Sequence, residues 1–266
     1  MRLGLIGGGF MGEALVSAVL KADLAAPNDI TVSDIAEERR RHLAESHGIS
    51  VTDDAKNAVT DAEIVVFAVK PQEFEAAAGG LSGRLDHKVT VLSIMAGVPI
   101  AHVADALRHR AVVRAMPNTP ASIGQAVTVW FAGDTVSSEG REIVQRLLSA
   151  LGRELAVPDE KYIDMATAVN GSGPGFVFLF MEAMIDAAVH IGLKREMAQE
   201  LVLQTMLGSV MLAQETGTHP AELRNMVTSP AGTTGAGLQV LEEAGFRAAV
   251  IAAVEAAYER AKELGG

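Results

Sequence analysis

Gly7, Gly9 and Gly12 stand at the spacing G-x-G-x-x-G, between the apolar run Leu3-Gly4-Leu5-Ile6 and the helical pattern Ala14, Leu15, Ala18, Val19. In a strand, turn and helix, the first glycine permits the tight turn and the second lets a pyrophosphate approach the backbone. The third lets helix and strand pack closely. The free N–H groups and partial positive charge at the helix start then suit phosphates. Ile6, Gly7, Gly8, Gly9, Phe10, Met11 and Gly12 are therefore expected to hold a dinucleotide.

A second anion-binding candidate lies far along the chain, in Val227-Thr228-Ser229-Pro230-Ala231-Gly232-Thr233-Thr234-Gly235. Pro230 discourages continuation of the preceding helix, Gly232 lets backbone approach a ligand, and Thr233 and Thr234 can cap the next helix. Exposed N–H groups there would hold a carboxylate by the logic that holds a phosphate, although capping without a ligand is the alternative.

Between these ends stand further polar candidates. Asp34 closes the strand-like Ile30-Thr31-Val32-Ser33, 34 minus 12 or 22 residues after Gly12, the distance at which an acidic side chain meets the adenosine ribose. That favours NADH, yet Arg39, Arg40 and Arg41 follow and could bind the extra phosphate of NADPH; an ordinary helix cap is the other reading of Asp34. Ala68-Val69-Lys70-Pro71 and Met116-Pro117-Asn118-Thr119-Pro120 each follow a strand-like run. Lys70 could steady a phosphate or ribose or be merely solvated, and Asn118 could bond the cofactor or form an Asx turn. Asn170-Gly171-Ser172-Gly173-Pro174 opens a long apolar helix, with proline near the first turn as expected.

The elements that must position these residues alternate in the first part of the chain. Glu63 to Val69 is a continuous apolar run, as in a parallel strand covered on both faces. Val89 to Ile94, Ala111 to Ala115 and Val127 to Phe131 are further strands, with helices at Ala36 to Glu45 and Ile100 to Leu107. The pattern predicts an α/β fold: a doubly wound Rossmann domain over residues 1–158, with scope for an antiparallel edge. Around Val157-Pro158-Asp159-Glu160 the pattern changes, and helices are expected from about Tyr162, Pro174, Arg195, Pro220, Gly235 and Phe246. Residues 159–266 thus read as an all-α domain that binds substrate and dimerises. Its Met181, Met184, Met197, Met206 and Met211 suit core or helix-interface filling.

The 266 residues are 49% hydrophobic, enough for a sizeable core in two domains. A helical half this apolar is hard to bury alone, and intertwining with a second copy would solve that, so a homodimer is expected, with an oligomer of dimers left open. The formal net charge of -11 disfavours a nucleic-acid surface. The absence of cysteine removes disulfides, thiol nucleophiles and thiolate metal sites, and no metal is expected. Arg2 precedes a strand rather than a secretory segment, and Glu182 and Asp186 interrupt the apolar run Phe176 to Met181. A cytoplasmic protein without membrane insertion is the expectation.

Taken together, the chain resembles the pyrroline-5-carboxylate reductases. The resemblance rests on the Ile6 to Gly12 turn, Ala68-Val69-Lys70-Pro71-Gln72, Arg114 to Pro120, Gly171-Ser172-Gly173-Pro174 and Val227 to Thr234, and spans nearly all 266 residues. It implies NADPH- or NADH-dependent reduction of the ring C=N of 1-pyrroline-5-carboxylate to L-proline, the last step of proline biosynthesis. It further implies a substrate carboxylate against the amides of Gly232, Thr233 and Thr234, with Ser172 and Ser229 nearby. The Thr234 hydroxyl would lie by the imine nitrogen, and a partner subunit would complete the site.

Two departures accompany it. The family commonly has two glycines before the threonines, where this chain has Ala231-Gly232, so position 231 should avoid positive φ or bear strain. It also commonly has alanine and tyrosine where this chain has Gly175-Phe176. A reductase of another cyclic imine, a β-hydroxyacid dehydrogenase and a non-catalytic nucleotide-binding module are the rival readings. The dehydrogenase would need a lysine at the start of the long helix, where Ser172 and Pro174 stand.

Overall fold

The computed structural model describes residues 1–264. These divide into a unit formed by residues 1–172 with 256–264, and a second formed by 173–255.

In the first unit the strands are β1 (Leu3–Ile6), β2 (Ile30–Ser33), β3 (Ser50–Thr52), β4 (Ile64–Phe67), β5 (Thr90–Ser93), β6 (Val112–Met116), β7 (Ala126–Ala132) and β8 (Gly152–Ala156). Its helices are α1 (Phe10–Lys21), α2 (Glu37–His47), α3 (Ala55–Val59), α4 (Phe74–Gly79), α5 (Ile100–Leu107), α6 (Ser138–Leu151) and α7 (Lys161–Ala166). The sheet runs β3-β2-β1-β4-β5-β6-β7-β8. β1 to β6 are mutually parallel, and β7 turns back antiparallel to β6. The strand order reverses between β1 and β4, which makes the crevice beyond their carboxyl ends the ligand position of this architecture.

Why these strands form is legible in their burial. Every residue of β1, β4 and β5 is buried, as a parallel sheet covered on both faces demands. Along β4 the side chains alternate between two cores. Ile64 and Val66 join Leu15 and Val19 of α1 and Leu147 of α6 on one face, while Val65 and Phe67 join Phe74 of α4 and Leu107 of α5 on the other. The apolar run Glu63 to Val69 outlasts its ladder, which stops at Phe67 and releases Ala68 and Val69 into the crevice.

β3 and β8 carry no sequence signal of the kind that marks the other strands. They are the two edges of the sheet, and β8 reads Gly-Arg-Glu-Leu-Ala with no buried residue. An edge strand needs no continuous apolar run, and its charges discourage further pairing.

The last strand ends at Ala156 and helix begins at Lys161, yet α7 packs against β6 and β7 within the first unit. Ion pairs of a buried arginine hold it there: Arg114 of β6, 2% exposed, reaches the partly exposed Glu160 at 3.1 Å and Asp164. A π-helical turn, Thr167–Gly171, follows, marked by Ser172 N–H donating to the Thr167 carbonyl at 2.9 Å. It aims Asn170 at the sheet, where its amide donates to the Met116 and Val127 carbonyls at 2.9 and 3.0 Å.

The second unit holds α8 (Gly173–His190), α9 (Arg195–Thr216), α10 (Pro220–Met226), α11 (Thr233–Glu243) and the start of α12 (Phe246–Leu264), whose end returns to the first unit. α8, α10 and α11 have no buried residue, and α9 buries Ala198 and Val202. α8 and α9 do pack together, and the Phe180 and Phe246 rings lie 5.9 Å apart. Even so, Phe178, Leu179, Leu207 and Val240 are each more than half exposed. Of the methionines expected to fill interfaces, Met184, Met197 and Met211 are among the exposed apolar residues of the single chain. The helical stretch Lys161–His190, 30 residues, is long and apolar enough to cross a membrane by length and composition; Glu182 and Asp186 do not disqualify it on that test.

Candidate active site

The glycine turn gives its three glycines different roles, two steric and one of open space. Gly7 has φ +101°, and a Cβ there would meet the Ala68 backbone at 2.9 Å. At Gly12 a Cβ would lie 2.2 Å from the Gly7 carbonyl oxygen and 3.0 Å from Leu5, so the third glycine lets α1 close onto its strand. Gly9 has nothing within 4 Å of such an atom and lies on the surface beside Phe10, 59% exposed. That open place is where a pyrophosphate would approach the backbone.

Gly9 is also the N-cap of α1, with φ -66° and ψ -170° and no side-chain cap. The first-turn N–H groups therefore keep their unsatisfied donors and the positive end of the helix dipole. Ala68 and Val69 border the turn, since a Cβ on Gly7 would strike both. Lys70, exposed, caps the short 3-10 helix Pro71–Glu73 and among the described residues forms no ion pair. Asn118 follows β6; its Oδ1 accepts from Val127 N–H at 3.1 Å, which spends its acceptor on the hairpin and leaves its amide group to donate.

Asp34 is already engaged. Its Oδ2 accepts from Gly8 N–H at 2.7 Å and its Oδ1 from Ala36 N–H at 2.8 Å. Each oxygen keeps a further lone pair, so a ribose contact and this role as a strut coexist. Arg40 donates to the Asp34 and Ile35 carbonyls at 2.8 and 3.0 Å. Arg39 donates to the Gly8 carbonyl and to Glu13. Partial burial opposes ionisation of Glu13, but hydrogen bonds with Arg39, His42 and His47 outweigh it and lower the carboxyl from 4.5 to about 2. Neither Glu13 nor the role of Arg39 was visible in the sequence. The one available signal was an acid in the first turn after the fingerprint, and nothing in the spacing pairs it with a residue of the next helix.

In the second unit, Gly232 is the N-cap of α11 with φ -80° and ψ 166°, again without a side-chain cap. Thr233 and Thr234 occupy the first two helical positions rather than the cap. A Cβ at Gly232 would lie 2.4 Å from the Ser229 hydroxyl, so this glycine answers first to its own loop. Ser229 is held close by its carbonyl, which accepts from Gly232 N–H at 3.0 Å, and Thr228 donates back to Arg224 at 2.6 Å. Ala231 takes φ +57°, a left-handed conformation unfavourable for any residue with a Cβ; of the two outcomes open to this departure, the chain bears the strain. Ser172 follows the π turn, half-buried.

One cavity of the first unit does not belong to this chemistry. A cavity of about 1450 Å³ lined by Arg2, Lys56, Glu63, Lys88 and Arg146 opens at the amino ends of β1, β4 and β5, the opposite side of the sheet from the crevice in which such folds bind ligands.

A doubly wound sheet with a glycine turn at its switch point and an acidic residue at the end of β2 defines a Rossmann-type dinucleotide-binding protein. Comparison with known proteins narrows this. The family model for pyrroline-5-carboxylate reductase dimerisation matches residues 160–264, and that for NADP oxidoreductase, coenzyme F420-dependent, matches residues 2–97. Pyrroline-5-carboxylate reductases from Synechocystis and Methanosarcina acetivorans are 41% and 42% identical, covering 100% and 99% of this chain and 98% of each relative. The solved pyrroline-5-carboxylate reductase of Coxiella burnetii superposes with a TM-score of 0.90 at 36% identity. That of Plasmodium falciparum, with NADP bound, gives 0.92 at 30%; each match covers 100% of this chain and 98% of the other. The chain belongs to the pyrroline-5-carboxylate reductase family.

Proposed function

We propose that this protein reduces 1-pyrroline-5-carboxylate to L-proline with NADPH or NADH, the final step of proline biosynthesis. The observation that carries the reading is full-length identity above 40% to reductases of that name, joined to a second uncapped helix start at Gly232 that suits a small carboxylate. The reduced nicotinamide supplies a hydride to the imine carbon. Everything else falls to the chain.

Hydride addition to a neutral imine would leave negative charge on nitrogen, so the site must bind or generate the iminium. The carboxylate rests on the amides of Gly232, Thr233 and Thr234, with Ser229 and Ser172 completing the polar lining. The Thr234 hydroxyl orients the ring N–H or relays a proton from water. No strong fixed acid is needed, because positioning and exclusion of water provide most of the remaining help. Ile6 to Gly12 hold the pyrophosphate, Asp34 the adenosine ribose, and Ala68, Val69, Lys70 and Asn118 the rest of the dinucleotide.

A second copy covers the apolar faces of α8 and α9, making a homodimer, and we place the protein in the cytoplasm. The dimerisation model that matches residues 160–264 supports a protein partner over a lipid one for these faces.

The test is loss of reduced-nicotinamide absorbance on addition of pyrroline-5-carboxylate, with each cofactor in turn. Thr234→Ala should lower kcat by about a hundredfold, the lower range for a proton-transfer group, with nucleotide affinity retained. A variant that turns over like its parent would remove Thr234 from the mechanism.

A further inference from the structure

Gly8, the middle residue of the glycine turn, is gripped at both ends of its backbone by side chains from outside the turn. Its N–H donates to Asp34 Oδ2 at 2.7 Å. Its carbonyl accepts from Arg39 Nε at 2.9 Å and from Arg39 Nη2 at 2.6 Å, a two-pronged contact from α2. The same Nη2 donates to Glu13 Oε2 at 2.7 Å, and Glu13 Oε1 lies 2.7 Å from His42 Nε2 and 3.4 Å from His47 Nε2. Arg39 and Glu13 are about two-thirds buried, at 34% and 28% side-chain exposure. Arg40 makes no such contact and serves the carbonyls of Asp34 and Ile35 instead.

The peptide that Arg39 holds is the one joining Gly8 to Gly9. A peptide unit is planar and trans, so its C=O and N–H point in opposite directions. Fixing the Gly8 oxygen on Arg39 therefore aims the Gly9 N–H away from α2. Among the described residues that N–H has no acceptor, and Gly9 is the exposed glycine with free space in front of it. Between two glycines no side chain biases the rotation of this plane, so its setting falls to the hydrogen bonds around it: Asp34 on the Gly8 N–H, Arg39 on the Gly8 carbonyl and the Glu13 N–H on the Gly9 carbonyl at 2.9 Å. An ionised carboxylate holds the guanidinium in turn, consistent with the depressed pKa of Glu13.

We infer that Arg39, buttressed by Glu13, is a positioning residue for the dinucleotide: it orients the Gly8–Gly9 peptide so that the Gly9 amide is preset to donate to the pyrophosphate. The inference rests on the nucleotide-binding reading above and adds to it residues that touch neither phosphate nor ribose. Pyrophosphate is common to both nicotinamide dinucleotides, so the effect must not distinguish them. That separates this role from direct recognition of the additional phosphate of NADPH, the alternative task for an arginine at this place.

The experiment uses the full-length protein and fluorescence titration of NADH and of NADPH, with steady-state kinetics alongside. Arg39→Ala should weaken both nucleotides about tenfold, the worth of one charge-assisted hydrogen bond. The KM for the nucleotide should rise in parallel while kcat at saturating nucleotide stays near the parent value. Arg39→Lys, which keeps one donor, should recover part of the loss for both nucleotides, and Glu13→Gln should show a smaller loss of the same kind. Loss confined to NADPH would overturn the proposal in favour of a phosphate ligand. Unchanged affinities with a lowered Tm would overturn it in favour of a purely structural pair. Should the unsubstituted protein bind neither nucleotide, the nucleotide reading itself fails, and the proposal with it.

Discussion

The two helix starts that carry this protein's proposed chemistry are nearly the same device in different surroundings. α1 begins at Gly9 with φ -66° and ψ -170°, α11 at Gly232 with φ -80° and ψ 166°, and neither has a side-chain cap. Around Gly9 the sequence leaves space outside and none inside, since Gly12 touches Gly7 and α1 buries Ala14, Leu15, Val16, Ala18 and Val19. Around Gly232 the helix buries nothing, the preceding residue is strained, and the loop leans on its own Ser229. The first cradle is rigid because a sheet stands behind it. The second has no such backing within the single chain, which suits the proposed homodimer.

Disrupting the assembly should break that comparison most severely. Leu179→Asp combined with Leu207→Asp would force charges into the proposed dimer contact at a cost of several kcal/mol. Light scattering should then report a monomer with turnover reduced by about a hundredfold or more, while nucleotide titration of the first unit still succeeds. A monomeric variant of full activity would mean that the second cradle stands unaided. Of intermediate size, Gly12→Ala should destabilise the protein by roughly 1–3 kcal/mol through overpacking and weaken nucleotide binding, because its Cβ would lie 2.2 Å from the Gly7 oxygen. Equal stability of variant and parent in denaturant unfolding would deny the tight packing assigned to the first cradle. The smallest effect is Ala231→Gly, which removes a left-handed alanine and should raise stability by about 1 kcal/mol. A loss of stability there would show that the second cradle carries no strain.

The contrast also explains what could be read beforehand. The turn from Gly7 to Gly12 is legible because Gly7 and Gly12 answer local steric demands and Gly9 leaves the backbone open, a combination the spacing reveals, and β1, β4 and β5 because their burial on both faces demands unbroken apolar runs. The edge strands β3 and β8 lack that demand and carry no such signal. The sequence equips Thr233 and Thr234 to cap α11, but Gly232 takes the cap and the threonines its first turn. The strain at Ala231 was foreseeable as one of two outcomes, since alanine has a Cβ where glycine would be free. The Gly8 contact of Arg39 and the roles of Glu13 and Asn170 have a shared reason for being illegible: each acts through a contact between elements 26 or more residues apart, and separations of that kind leave no periodic trace.

The closing residues of α12 lie with the first unit, where Ala261 is buried and Leu264 sits so close over Gly97 that a Cβ there would meet it at 2.6 Å. The helical half is therefore spliced into the nucleotide-binding half as an insertion with two junctions, near 172 and 255. A chain cut once at either point would separate the sheet-bearing half from its own closing residues, so grafting the helical unit onto another scaffold, or swapping it between relatives, calls for paired crossovers rather than a single fusion point.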